Sequence, residues 1–170
     1  ADNIPTITTL HNLLDADASR FISSEIKLKK SLTVWVNVAS SVKLKAVLQK
    51  YLDFVQQHVE KMNAFFEEEK ISSLSVSSRV MDAFIEETNE KLLNCTDAEV
   101  KDACLLASIQ AINHFKISTY GTAAAFANAL GMEKQAAVFH EAEVKEKQID
   151  DRLSQLAEHE INSRAKSPIV

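Results

Sequence analysis

A chain of 170 residues with only two glycines and two prolines, the prolines (Pro5 and Pro168) lying at its ends, is suited to long helices, because proline breaks helix interiors and glycine weakens them. Nineteen basic against 24 acidic residues leave a net charge of −5 with the signs mixed along the chain, which argues against a nucleic-acid partner, since phosphate backbones need a clustered basic surface. Two glycines cannot build a phosphate-cradling loop, and no apolar run reaches the ~20 residues that span a bilayer.

The first long helix is predicted from about Thr9 to Ala39. Leu10, Leu14, Phe21, Leu28, Leu32 and Trp35 recur there at the three-and-four spacing of one face, and Glu25 falls on the same face. A second runs from about Val42 to Glu69 on a stripe of Leu44, Leu48, Tyr51, Val55, His58, Met62 and Phe65, with Tyr51 and His58 as its polar members. Only Ser40 and Ser41 separate the two, and so short a link makes them antiparallel neighbours. A long connection, Lys70 to Thr96, carries a shorter amphipathic helix over Ser75 to Leu93 through Val76, Val80, Phe84, Ile85 and Leu92. Thr96 followed three residues later by Glu99 reads as a capping box that opens the third long helix, which runs to about Leu130 and closes at a left-handed Gly131. The fourth follows from about Glu133 to Ser163. Two hairpins joined by one long connection is the ferritin-like way of building a four-helix bundle. The expectation is therefore one all-α domain over residues 1–170, with a core of about 9–163 and loose ends.

Ferritin-like di-metal bundles hold one glutamate from each of two helices and a Glu-x-x-His motif from each of the others. Three positions before the five histidines stand Thr8, Val55, Ala111, Ala137 and Leu156, so the ordinary motif is absent. Cys95 and Cys104, nine residues apart, have neither metal-ligand spacing nor a disulfide framework, which predicts free thiols in a reducing cytoplasm. The N-terminus lacks a basic segment followed by an apolar core, although a chain beginning at Ala1 is compatible with a processed start.

The stretch Ser108 to Gly121, with Asn113, His114, Phe115, Lys116 and Ile117 followed by Tyr120, resembles the signature of the YciE/YciF family of ferritin-like bacterial stress proteins. The likeness runs roughly from Leu10 to Glu158. Family members tend to carry an Ala-Glu pair in the first helix, His-Leu-x-x-Thr in the second, Glu-His-x-Glu in the third and Glu-Glu-x-x-x-Asp in the fourth. Matched to that pattern, Glu25 keeps the first glutamate while Ser24 replaces the alanine, and Tyr51 and Val55 stand where histidine and threonine are expected. Asn113, His114 and Lys116 keep only the histidine of the third motif; Lys145, Glu146 and Asp150 keep the second acid and the aspartate of the fourth. The resemblance thus implies a fold and, at the same place, a degenerate metal site whose remnant candidates are Glu25, His114, Glu146 and Asp150, to which the apolar stripe of the second helix adds His58.

Lys116 has two readings. Its ammonium supplies the positive charge a cation would have given, or its stem lies along the bundle and its charge reaches water. His58, with Glu25, His114 or Glu146, makes an improvised ligand set, or it is a hydrogen-bonded core residue. Tyr51 and Tyr120 are redox tyrosines near a metal, or packing residues whose hydroxyls find a partner. His140 with Glu143 reads as a weak surface site or a solvated face, and Glu67, Glu68 and Glu69 as solvated surface. The expected function is a non-enzymatic, stress-associated structural or interaction protein with no cofactor. It is expected to be a homodimer through Val76, Val80 and Phe84 or through the first hairpin. The alternative is an iron- or manganese-binding, oxidoreductase-like protein that uses the remnant residues.

Overall fold

A computed structural model describes residues 6–70 and 76–166 and, among these, contains helices and no strand. Ala1, Pro5, Ser75 and Pro168 lie outside the described residues, as do residues 1–5 and 167–170 of the ends expected to be loose, whereas residues 164–166 belong to the last helix. Helices α1 (Leu10–Ala18) and α2 (Phe21–Val38) precede α3 (Val42–Glu68), and α4 (Arg79–Asn94) occupies the connection to α5 (Ala98–Ala129) and α6 (Glu133–Leu156). A π-helical segment (Ala157–Ile161) and α7 (Asn162–Lys166) end the described chain. The α2–α3 and α5–α6 hairpins pack together through α3 and α6, while α4 lies across α2 and α5, and α1 on α5. This is the ferritin-like bundle of two antiparallel hairpins with an extra helix in the crossover.

The first long helix is interrupted, contrary to the unbroken run read from its stripe. The Ser19 hydroxyl and the Arg20 guanidinium both donate to the Ala16 carbonyl, at 2.7 and 2.8 Å. The Ser19 carbonyl accepts instead from the Val76 N–H of the crossover at 3.2 Å. Side chains and a distant backbone group have taken the acceptors that an unbroken ladder would use. The third long helix is also capped differently. Asp97, not Thr96, is the N-cap, its carboxylate accepting from the N–H groups of Glu99 and Val100 at 2.9 Å each, since an ionised acceptor makes the stronger bond to a helix start. Gly131 does adopt a left-handed φ of 71°, and the Met132 N–H reaches back to the Ala127 carbonyl at 2.9 Å, closing α5.

Two further boundaries move. The crossover helix begins at Arg79 behind a Ser78 cap. The fourth helix does not run unbroken to Ser163: it widens at Ala157–Ile161, where the Asn162 N–H bonds to the Ala157 carbonyl while Ala157 and Ile161 both stay in the core. In α3 it is Phe66 that is buried, with Phe65 only packed beside it. The crossover is bound to its own bundle by Lys27, which pairs with Asp82 and Ser77, and by the Trp35 indole N–H donating to Asn89 at 2.9 Å. Phe84, expected to form part of a dimer surface, rests on Phe115 with ring centroids 5.6 Å apart, while Val76 and Val80 are 37% and 50% exposed.

The apolar interior falls into two clusters. One gathers Leu28, Leu32, Trp35, Leu48, Ile109, Ile149 and Leu153. The other gathers Leu14, Phe21, Met62, Phe66, Tyr120 and Phe139. Glu25 comes between Phe21 and Leu28, His58 between Val55 and Met62, Lys116 between Ile112 and Tyr120, and Glu146 between Ala142 and Ile149. Each of the long helices α2, α3, α5 and α6 therefore brings a polar residue to the same height.

Candidate functional site: a buried polar layer

Helical spacing delivers these side chains. Asn113, Lys116 and Tyr120, three and four apart on α5, share its inward face, while Glu25 on α2, Tyr51 on α3 and Glu146 on α6 meet them. All are buried, with Glu25 at 1% and Lys116 at 3% exposure. The Lys116 ammonium lies 3.0 Å from Glu25 Oε1 and 2.5 Å from Glu146 Oε1, and 4.9 Å from the centroid of the Tyr51 ring. The Tyr120 hydroxyl donates to Glu25 Oε1 and the Tyr51 hydroxyl to Glu146 Oε2, both at 2.6 Å. The Asn113 amide donates to Glu146 twice, to its carbonyl at 2.9 Å and to Oε2 at 2.8 Å. Lys116 is thus held inside the bundle and does not reach water. Its contacts are ion pairs whose angles fall short of aligned hydrogen bonds.

The electrostatics follow from burial and from the two-to-one ratio of carboxylates to ammonium. Burial pushes both tyrosine hydroxyls well above their usual range, and Glu146 beside Tyr51 and Glu25 beside Tyr120 push the same way, so both remain donors. Burial works to lower the Lys116 pKa, but Glu146 and Glu25 outweigh it and raise the pKa, keeping the ammonium charged. Burial raises Glu146 even against the pull of Lys116.

His58, on α3, meets the layer from the side, its ring edge-on to Tyr120 at 5.1 Å with Nε2 unpartnered. Burial first, and Lys116 second, lower its pKa to about 4. Since His58 takes up a proton more readily when unfolded, its contribution to stability falls as pH drops from about 6.5 towards 4. Its imidazole NMR resonances should stay in the neutral form at about pH 5.5, where a solvated histidine is mostly protonated. Titration near 6.5 would show that His58 is not held as described.

The predicted site residues divide. Glu25, Tyr51, Asn113, Lys116 and Glu146 converge, with His58 at their edge, whereas His114 and Asp150 do not join them. Those two pair with each other at 2.8 Å on the outside of the α5–α6 hairpin, with His114 64% exposed. His114 follows the inward-facing Asn113 by one position, about 100° round the helix, and so points outward. His140 and Glu143 approach to 3.5 Å on the surface, and Glu69 is taken up by Lys134 at 3.2 Å. Among the described residues no three His, Cys, Asp or Glu side chains gather in a metal-binding cluster. One buried acid was missed. Asp102, 4% exposed, accepts the N–H groups of Ser40 and Ser41 at 2.8 Å each and so holds the α2–α3 turn against α5. Its place one turn before Leu105 and Leu106 on an apolar face was the available signal.

The family model for DUF892, a domain of unknown function, matches residues 9–166. The chain belongs to the DUF892 family. Protein YciF of Escherichia coli strain K12 is 31% identical over 148 residues, covering 85% of this DUF892 chain and 88% of that protein. The crystal structure of the E. coli stress protein YciF matches with a TM-score of 0.85 at 29% identity, covering 92% of this chain and 99% of its own. YcfI from Rhodopseudomonas palustris matches with a TM-score of 0.83 at 25% identity, covering 91% and 96%. The likeness read from motif order thus extends over most of the DUF892 fold.

Proposed function

We propose that this chain is a non-enzymatic structural or interaction protein of the YciF type, associated with stress as YciF is, in which an internal ion-pair network stands where ferritin-like relatives hold a bridged metal pair. The observation that carries this reading is the Lys116 ammonium, 3.0 Å from Glu25 and 2.5 Å from Glu146. Two hard cations need carboxylates to bridge them and imidazoles to cap them. Here the carboxylates share an ammonium, Tyr51 and Asn113 turn N–H or O–H donors towards Glu146, and His58 is the one imidazole at hand. A cation entering between Glu25 and Glu146 would meet a fixed positive charge in a poorly screened interior. The donor set does not suit a bridged metal pair, and its work is architectural: every long helix contributes, so a slip of any one leaves a buried charge or a buried polar group without its partner.

Elemental analysis of protein purified without chelator is expected to find iron and manganese far below one per chain. Stoichiometric metal would overturn the proposal in favour of the oxidoreductase-like alternative. Asn113→Glu with Lys116→Glu should raise metal content in the same assay, and no rise with the helical circular dichroism intact would count equally against it. The working form is a homodimer in the cytoplasm, assembled through the first hairpin or the Val76 and Val80 edge. Light scattering at micromolar concentration should return the dimer mass, and a monomer mass would refute that assembly.

A further inference from the structure

A cavity of about 370 Å³ lies between the α1–α2 break, the start of α4 and the middle of α5, within the size range of small-molecule sites. Its walls join Phe21, Val80, Met81 and Phe115 to two charged members of the polar layer, Glu25 and Lys116. Asp17 and Arg20 also line it and cancel in charge.

The two carboxylates of the layer are unequally served. Both Glu146 oxygens are engaged, Oε1 by Lys116 and Oε2 by Tyr51 and Asn113. Glu25 uses only Oε1, which accepts from Tyr120 and faces Lys116. Its Oε2 has no partner, in a residue 1% exposed. One ammonium stands against two carboxylates, and the idle oxygen belongs to Glu25, a residue of the cavity wall. A buried acceptor without a donor is costly, and an uncompensated buried charge more so.

We propose that this cavity binds a small primary alkylammonium, which donates to Glu25 Oε2 while its alkyl chain lies against Phe21, Val80, Met81 and Phe115. The layer then holds two cations and two carboxylates, and the neutral set is favoured where screening is weak. A carboxylate ligand would add a third negative charge, and an alcohol would supply a donor without a charge. The proposal rests on the reading that Lys116, and no metal ion, sits between Glu25 and Glu146.

The test is titration calorimetry in chelator-containing buffer with n-butylammonium chloride, sodium butyrate and 1-butanol as separate probes, metal content being measured on the same sample. The native protein is expected to bind butylammonium at about millimolar concentration, butanol at least about tenfold more weakly, and butyrate not at all. Glu25→Gln should weaken butylammonium about tenfold. Ser118→Trp, a change at an exposed wall residue outside both dimer surfaces, should abolish binding while leaving the melting temperature in place and so guards against a Glu25 variant that fails to fold. Equal binding of alcohol and ammonium, undiminished binding in either folded variant, or no butylammonium binding by metal-free native protein would overturn the inference. Metal retained in the sample would instead overturn the reading on which it rests.

Discussion

Lys116→Met should cost roughly 3–5 kcal/mol of stability near neutral pH, the usual penalty for removing one partner of a buried ion pair and stranding the other. Glu25 and Glu146 would then face each other inside the bundle with only tyrosine and asparagine donors to stabilise them. The loss should depend on pH in a defined sense. The Lys116 pKa is raised in the folded protein by Glu146 and Glu25 against the effect of burial, so its contribution is complete below the unfolded lysine value and fades only as pH rises through the folded one. Neutral pH lies within that window. In the variant, carboxylates without the ammonium bind protons more tightly when folded than when unfolded, and acidification therefore restores stability. Urea unfolding at about pH 8 and pH 5 should show the gap between native and variant narrowing at the lower pH. A loss below about 1 kcal/mol that is the same at both values would mean that the ammonium is not paired as described.

The second large effect is expected at Asp102. Its carboxylate accepts from two consecutive backbone donors in the α2–α3 turn, at Ser40 and Ser41, and both it and Ser41 are buried. Hydrogen bonds to a charged group are worth about 1.5–3 kcal/mol, and Asp102→Ala would leave both donors without a side-chain acceptor. A loss of roughly 2–4 kcal/mol is expected by chemical denaturation. Asp102→Asn, whose single side-chain oxygen must serve both N–H groups, should lose less. Equal stability of the alanine variant and the native protein would show that the turn holds without this contact.

Much of the site was legible because its residues interrupt strong apolar stripes. Glu25 on the face of Phe21 and Leu28, and Tyr51 on the face of Leu48 and Val55, had to be inside once the helices were accepted. Lys116 was harder to place, because a long side chain on an amphipathic helix can send its charge outward as easily as inward. The position of its two carboxylates, on α2 and α6, decided the direction. His114 shows the reverse: as the surviving histidine of the family motif it looked central, yet one step along α5 turned it to the surface.

By itself the sequence determined the class and the hairpin order. Scarce glycine and proline, the stripe periods and the short Ser40–Ser41 link are local properties, and local rules read them. Only the tertiary structure decided the break at Ser19–Arg20, where Val76 from the crossover takes the Ser19 carbonyl, and the widened turn at Ala157–Ile161. It also decided which acid meets which cation. Backbone donors and buried charges are satisfied by groups distant in sequence, such as Asp102 for the Ser41 N–H and Tyr120 for Glu25, and no helical period records which distant residue will arrive.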